Sequence, residues 1–65
     1  MGIRVTKKTK TAFANLLKDW RTRHGITQAE AAEVLGVPIR TLQNWEIART
    51  APHSSLRQIL EGRLE

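Results

Sequence analysis

Residues 25–37 read GITQAEAAEVLGV, and their spacing is the strongest structural signal in the chain. Thr27 and Glu30 have the spacing of a capping box, in which a Thr side chain and a Glu side chain each accept a hydrogen bond from the other residue's backbone N–H. Gly36 ends the helix after about two turns, because glycine adopts the left-handed conformation without strain. The stretch therefore predicts a short helix that begins after Thr27 and ends before Gly36.

A further short helix is predicted directly after this turn. Pro38 suits the first positions of a helix, where its missing N–H is not needed. Leu42 and Trp45 then continue an apolar stripe through about Ile39–Ile47. Two short helices joined by a tight turn that contains glycine, the second with a polar outer face, are typical of a helix-turn-helix.

Helices are also predicted on both sides of this pair. Before it, apolar residues recur at i, i+3, i+4 and i+7, which indicates an amphipathic helix over about Thr11–His24. After it, Ser55 and Gln58 have capping-box spacing and predict a fourth helix. The two apolar stripes contain Phe13, Leu16, Leu17 and Trp20 in the first helix and Leu56, Ile59 and Leu60 in the fourth. We expect an all-α, compact four-helix bundle over residues 11–65, with the helix-turn-helix at about residues 27–47.

Length and composition exclude several classes of protein. A chain of 65 residues has one small core and no room for a deep cleft, which argues against an enzyme. The absence of cysteine favours a reducing, intracellular compartment. His24 and His53 cannot complete the four N/S ligands of a structural zinc site. We expect no metal, no cofactor, no small-molecule ligand and no membrane span.

The positive charge is concentrated in the first part of the chain. Residues 1–25 hold seven Lys and Arg against one acid, a net charge of +6, whereas residues 26–65 have a net charge of −1. Residues 1–10 fit either a basic arm or a short edge strand, and we favour an arm that binds a polyanion. Within residues 1–10, the cations that we expect to contact the phosphates of such a polyanion are Lys7, Lys8 and Lys10.

The outer face of the predicted third helix carries side chains that suit DNA bases. In the major groove, Arg binds guanine O6 and N7, Asn or Gln binds adenine N6 and N7, and an Ile or Thr methyl packs on the thymine methyl. The candidate base-reading residues are Ile39, Arg40, Thr41, Gln43 and Asn44. Trp20 and Trp45 lie within apolar stripes, so we predict that both belong to the core and do not stack on bases.

The combined spacing resembles that of the phage-repressor/Cro-like (XRE-type) helix-turn-helix family. Members of that family read G-[LI]-T-Q-x-E-[LA]-A-x-x-L-G-V, then a recognition helix that ends in W-E, then a basic loop and a Pro. Residues 25–37, residues 41–46 (TLQNWE) and Pro52 supply these elements here, and the resemblance covers about Leu16–Leu60. The resemblance implies a lambda-repressor-like bundle, and a cytoplasmic protein of bacterial or phage origin. The chain also looks similar to the anti-CRISPR-associated autorepressors of phage operons and to some antitoxins.

The resemblance implies roles for residues outside the recognition helix. Gln28 lies where the family uses a Gln to contact a phosphate and to brace the recognition helix, and neighbouring Thr27 is predicted to contact the backbone with it. Arg49 lies in the loop where the family contacts the DNA backbone. Within the recognition helix, Gln43 is expected on a base or a phosphate.

Three features depart from the family pattern. Pro38 replaces the usual Ser or Thr cap. Ile47-Ala48 replaces the common polar-Gly pair, so a longer recognition helix is expected. The family's usual fifth helix is missing or reduced to residues 62–65, which weakens any inference about dimer geometry.

The leading hypothesis is a sequence-specific regulator of transcription that binds double-stranded DNA, as a homodimeric repressor on an inverted-repeat, palindromic operator. Its rival is an antitoxin-like interaction module whose main task is to bind a partner protein, with DNA binding secondary. A basic amphipathic helix on an anionic membrane is a third alternative, against which the capped, Gly-terminated helices argue.

Overall fold

The computed structural model describes residues 6–64, which fold into four α-helices and no strand. The helices are α1 (Lys7–His24), α2 (Gln28–Leu35), α3 (Ile39–Glu46) and α4 (Ser54–Arg63). This confirms the all-α prediction. None of these helices is long and apolar enough to span a membrane.

Helix α1 begins at Lys7, four residues before the predicted start at Thr11. The Thr6 hydroxyl accepts a hydrogen bond from the Thr9 N–H at 3.2 Å and so caps the helix. Lys7, Lys8 and Lys10 therefore lie on the first turns of α1 and not in an arm. The remainder of the predicted arm, residues 1–5, lies outside the described residues.

Local signals set both ends of α2 as predicted. The Thr27 hydroxyl accepts from the Glu30 N–H at 3.1 Å, and the Glu30 carboxylate accepts from the Thr27 N–H at 2.8 Å, which completes the capping box. Gly25 (φ 61°) and Gly36 (φ 71°) take the left-handed conformation at the ends of α1 and α2. The turn on each side of α2 therefore depends on glycine.

Helix α3 is shorter than expected and stops at Glu46. Its N-cap, Pro38, makes no side-chain hydrogen bond. At the other end, Ala48 takes a left-handed conformation at φ 60°, and the Arg49 N–H closes the turn on the Asn44 carbonyl at 3.0 Å. The expectation of a longer recognition helix is therefore wrong, because Ala48 adopts the conformation that the family's glycine would take.

The predicted start of α4 is also corrected. His53 is the N-cap, and its Nδ1 accepts a hydrogen bond from the Leu56 N–H at 3.4 Å, so Ser55 lies inside the first turn and does not cap the helix. Leu60 is buried, but Ile59 is 63% exposed and does not belong to the buried ridge. The buried side of α4 runs from Leu56 through Leu60 towards Leu64, a spacing of four residues that leaves Ile59 outside.

All four helices contribute to a single core. Its largest fully buried side chains are Phe13, Leu17, Leu42 and Leu64. Phe13 packs edge-on against Trp45, with the ring centroids 5.5 Å apart. Trp20 and Trp45 are 6% and 4% exposed, which confirms that both are core residues. Each fully buried large side chain contributes about 1.5–3 kcal/mol.

Candidate nucleic-acid interface

Helices α2 and α3 are joined by the three-residue turn Gly36-Val37-Pro38 and pack against each other. Ala31 and Ala32 are buried on the inner side of α2, and their small size lets the two helix backbones approach closely. Helix α3 also packs against α1. It is thus held from two sides while one of its faces stays open to solvent.

The open face of α3 presents the predicted base-reading residues. Arg40 and Gln43 are exposed, Thr41 and Asn44 are half-buried, and Ile39 keeps 43% of its surface accessible. Within residues 6–64 no hydrogen bond or ion pair engages the Arg40 guanidinium. The face therefore combines an uncommitted cation, an amide, a hydroxyl and an apolar side chain on one short helix.

A buried carboxylate anchors the far end of α3. Glu46 is only 5% exposed, and both of its oxygens accept hydrogen bonds from Arg21 on α1, Oε2 from Nε at 2.7 Å and Oε1 from Nη2 at 3.1 Å. A third Arg21 nitrogen donates to the Ile26 carbonyl at 3.3 Å. Two-point pairing of this kind fixes orientation as well as distance. The ion pair therefore sets where α3 ends relative to α1.

Sequence reasoning did not include Arg21 or Glu46 among the site residues. The two positions are 25 residues apart, so no local spacing connects them. The Trp45-Glu46 pair at the end of the third helix could have indicated this ion pair, because an acidic residue there directly follows a core tryptophan. An acid at that position lies beside the core and needs a cationic partner.

The Glu46 carboxylate is held in its ionised form. Burial raises its pKa, but hydrogen bonds from Arg21 and Gln28, together with the charges of Arg21 and Lys18, outweigh burial and leave the pKa below its ordinary value of 4.5. The hydrogen bond to Glu46 in turn raises the pKa of Arg21. The pair therefore stays charged at neutral pH.

Gln28 connects this ion pair to the open face. Its Nε2 donates to Glu46 Oε1 at 3.0 Å, and its Oε1 accepts from Gln43 Nε2 at 3.2 Å. Side chains of α1, α2 and α3 are thus joined in one hydrogen-bonded chain, which runs from Arg21 through Glu46 and Gln28 to Gln43.

A sequence model of the helix-turn-helix family matches residues 17–63, well over half of the chain. The chain belongs to the XRE-type helix-turn-helix family. This family consists of DNA-binding regulators of transcription, of the phage-repressor/Cro-like kind, and is not a family of enzymes. No curated protein and no solved structure matches the chain significantly.

The other residues of this XRE-type protein that are predicted to contact DNA phosphates lie before and after α3 in the sequence. Thr27 is exposed; its oxygen accepts the capping hydrogen bond, and its O–H remains able to donate. Arg49 is exposed immediately after the α3 turn, and Lys7 and Lys8 are exposed at the start of α1, with Lys10 half-buried beside them. In the described part of the chain, no group of three or more metal-binding side chains gathers at one point.

Proposed function

We propose that this XRE-type protein is a homodimeric repressor that binds an inverted-repeat operator, with α3 of each protomer in a major groove. The observation that carries the proposal is the open polar face of α3, held from behind by Leu42, Trp45 and the Arg21–Glu46 ion pair. The longest dimension of a protomer, 36 Å, is comparable with the distance of about 34–36 Å between successive major grooves on one side of the DNA.

Base recognition is assigned to the residues of α3 whose side chains make no hydrogen bond or ion pair within residues 6–64. Arg40 is the candidate for guanine O6 and N7, and Asn44, one turn later on the same face, is the candidate for adenine N6 and N7. Ile39 and Thr41 offer methyl groups to thymine. The face is short, so we propose that each protomer reads a half-site of a few base pairs.

Phosphate contacts supply affinity and place the protein on the duplex. We assign them to Gln28 and Thr27 at the start of α2 and to Arg49 after α3, with Lys7, Lys8 and Lys10 as cations that add sequence-independent attraction. The net charge of +5 favours the same partner. Repression follows from occupation of promoter DNA, in the cytoplasm of a bacterial host, and an operator upstream of the protein's own gene would make it an autorepressor.

The decisive experiment is selection of bound sites from random double-stranded DNA, followed by footprinting at several salt concentrations. We expect an enriched inverted repeat with half-site centres about 10–10.5 base pairs apart. A lack of enrichment would contradict sequence-specific regulation, and enrichment of single half-sites by a monomer would contradict the dimer. Copurification of a stoichiometric partner protein, together with weak DNA binding, would favour the antitoxin-like alternative.

A further inference from the structure

The side-chain amide of Gln28 lies between the Glu46 carboxylate and the Gln43 amide and hydrogen-bonds to both. On one side, Glu46 Oε1 is 3.0 Å from Gln28 Nε2, and on the other, Gln43 Nε2 is 3.2 Å from Gln28 Oε1. Glu46 is a carboxylate that already accepts from Arg21 through both oxygens. Since an ionised carboxylate only accepts hydrogen bonds, the nitrogen end of the Gln28 amide must face Glu46.

The orientation of the Gln28 amide determines that Gln43 acts as a hydrogen-bond donor. With its nitrogen on Glu46, Gln28 presents its oxygen to α3, and only a donor can satisfy that oxygen there. Gln43 supplies the donor from the last turn of α3. Glu46 takes one of the two N–H groups of Gln28 Nε2, and within residues 6–64 no other side chain or backbone group accepts the second.

We propose that Gln43 is a positioning residue, which holds the Gln28 amide with its second N–H directed at a DNA phosphate. This inference rests on the proposed DNA contact of Gln28, and it replaces the expectation that Gln43 reads a base. The Gln43 side chain turns back to α2, so it contributes to affinity through Gln28 and carries no base preference of its own.

The test is a double-mutant cycle on DNA affinity. We expect Gln43→Met, which keeps the length of the side chain but removes its donor, to weaken operator and random DNA by the same factor of roughly 3 to 10, the range of one net hydrogen bond. Gln28→Met should weaken both by at least as much. Adding Gln43→Met to the Gln28→Met variant should then change affinity by less than about twofold, since the coupled partner is already gone.

Base preference is the second readout. Site selection with Gln43→Ala, which offers no long side chain to any base, should return the wild-type operator sequence. Gln58→Met serves as the matched control, because Gln58 is an exposed glutamine on α4 for which we assign no DNA contact, and it should leave affinity and preference unchanged. The melting temperature of each variant is measured to test whether the variant is folded.

Two results would overturn the inference. One is a Gln43→Met effect of the same size with and without Gln28, which would mean that Gln43 acts independently. The other is loss of preference at one base pair in the Gln43→Ala selection, which would make Gln43 a base reader. Both differ from failure of the proposed function, in which the wild-type chain itself selects no operator.

Discussion

Ala48 holds a backbone conformation that residues with a Cβ rarely adopt. Its φ of 60° lies in the left-handed region, where an L-residue other than glycine is strained by about 1–2 kcal/mol. The strain is tolerated because the turn is closed by hydrogen bonds from the Ala48, Arg49 and Thr50 N–H groups to carbonyls at the end of α3. The loop after α3 therefore contains one residue, Ala48, that destabilises the backbone conformation it adopts.

We predict that Ala48→Gly stabilises the protein. Relief of the strain should raise the free energy of unfolding by up to about 1 kcal/mol, which corresponds to roughly 4–8 °C in Tm for a domain of this size. Thermal unfolding by circular dichroism measures it. Ala51→Gly is the matched control in the same loop, and it should not stabilise, since Ala51 has no positive φ. An unchanged or lower Tm for Ala48→Gly would contradict the prediction, because it would mean that the strain at Ala48 is no larger than the entropic cost of a glycine.

Arg40 is the residue on which sequence discrimination depends most in the proposed complex. We predict that Arg40→Ala weakens operator binding by about 1–3 kcal/mol and relaxes preference at one base pair. Fluorescence anisotropy with the selected operator and with single-base variants of it measures both effects. Arg63→Ala, which removes one exposed cation from the end of α4, controls for net charge. Wild-type affinity of Arg40→Ala for the operator would refute the assignment.

At the scale of helices, the Arg21–Glu46 pair is the polar connection between α1 and α3. We predict that Glu46→Gln lowers the free energy of unfolding at pH 7 by about 1–3 kcal/mol. This is below the roughly 3–5 kcal/mol expected when one partner of a fully buried pair is removed, because the Arg21 side chain is 25% exposed and solvent stabilises it when it is left alone. Urea unfolding of both proteins measures the difference.

The same pair predicts how stability depends on pH. Because the folded pKa of Glu46 lies below its ordinary value of 4.5, its contribution is complete above that value and is lost as the pH falls through the folded pKa. The stability difference between wild type and Glu46→Gln should therefore be constant from about pH 6 upward and shrink below pH 4.5. A difference that does not change down to about pH 3 would contradict the assigned charge state.

Helix α4 shows how a local pattern can mislead. Ser55 and Gln58 match a capping box, yet the helix begins after His53, whose Nδ1 accepts the capping hydrogen bond. His53 was not predicted as the cap, because the side chains preferred at this position are those of Ser, Thr, Asp and Asn. The packing of Leu60 and Leu64 into the core sets the rotation of α4, and this rotation leaves Ile59 in solvent. Tertiary packing thus overrides the local apolar pattern at Ile59, whereas the start of α4 is set by a local hydrogen bond to His53 that the pattern did not predict.

At the scale of the whole molecule, charge and shape have separate roles. Lys7 and Lys8 lie on α1 and not on the proposed base-reading face of α3, and a lysine that contacts phosphate reads no base. We therefore propose that they add attraction to DNA and no discrimination between sequences. We predict that Lys7→Gln together with Lys8→Gln weakens operator and random DNA by the same factor. The slope of log affinity against log salt should fall by about 0.9 for each phosphate that the variant no longer neutralises.

Titration of binding against salt concentration measures this slope. Arg63→Gln, on the exposed end of α4, tests whether removal of a cation elsewhere has the same effect, and we expect a smaller change in slope from it. An unchanged slope in the Lys7/Lys8 double variant would remove the start of α1 from the DNA interface.

Elements whose signals are local could be predicted from the amino-acid sequence. The capping box of α2, the glycines that end α1 and α2, and the burial of both tryptophans depend on hydrogen bonds and periodicities within a few residues, so spacing is enough to predict them. The same locality explains the recognition of the helix-turn-helix around Gly36.

Contacts between side chains of different helices, in contrast, depend on how the helices cross in the folded protein. Arg21 reaches Glu46, and Gln28 joins Glu46 to Gln43, because the crossing of α1, α2 and α3 brings distant positions together. A buried carboxylate must be satisfied by whatever donors that crossing supplies, and no spacing in the sequence specifies them. The face proposed to meet DNA could thus be predicted from one helix, whereas the hydrogen bonds that hold this face in place required all three.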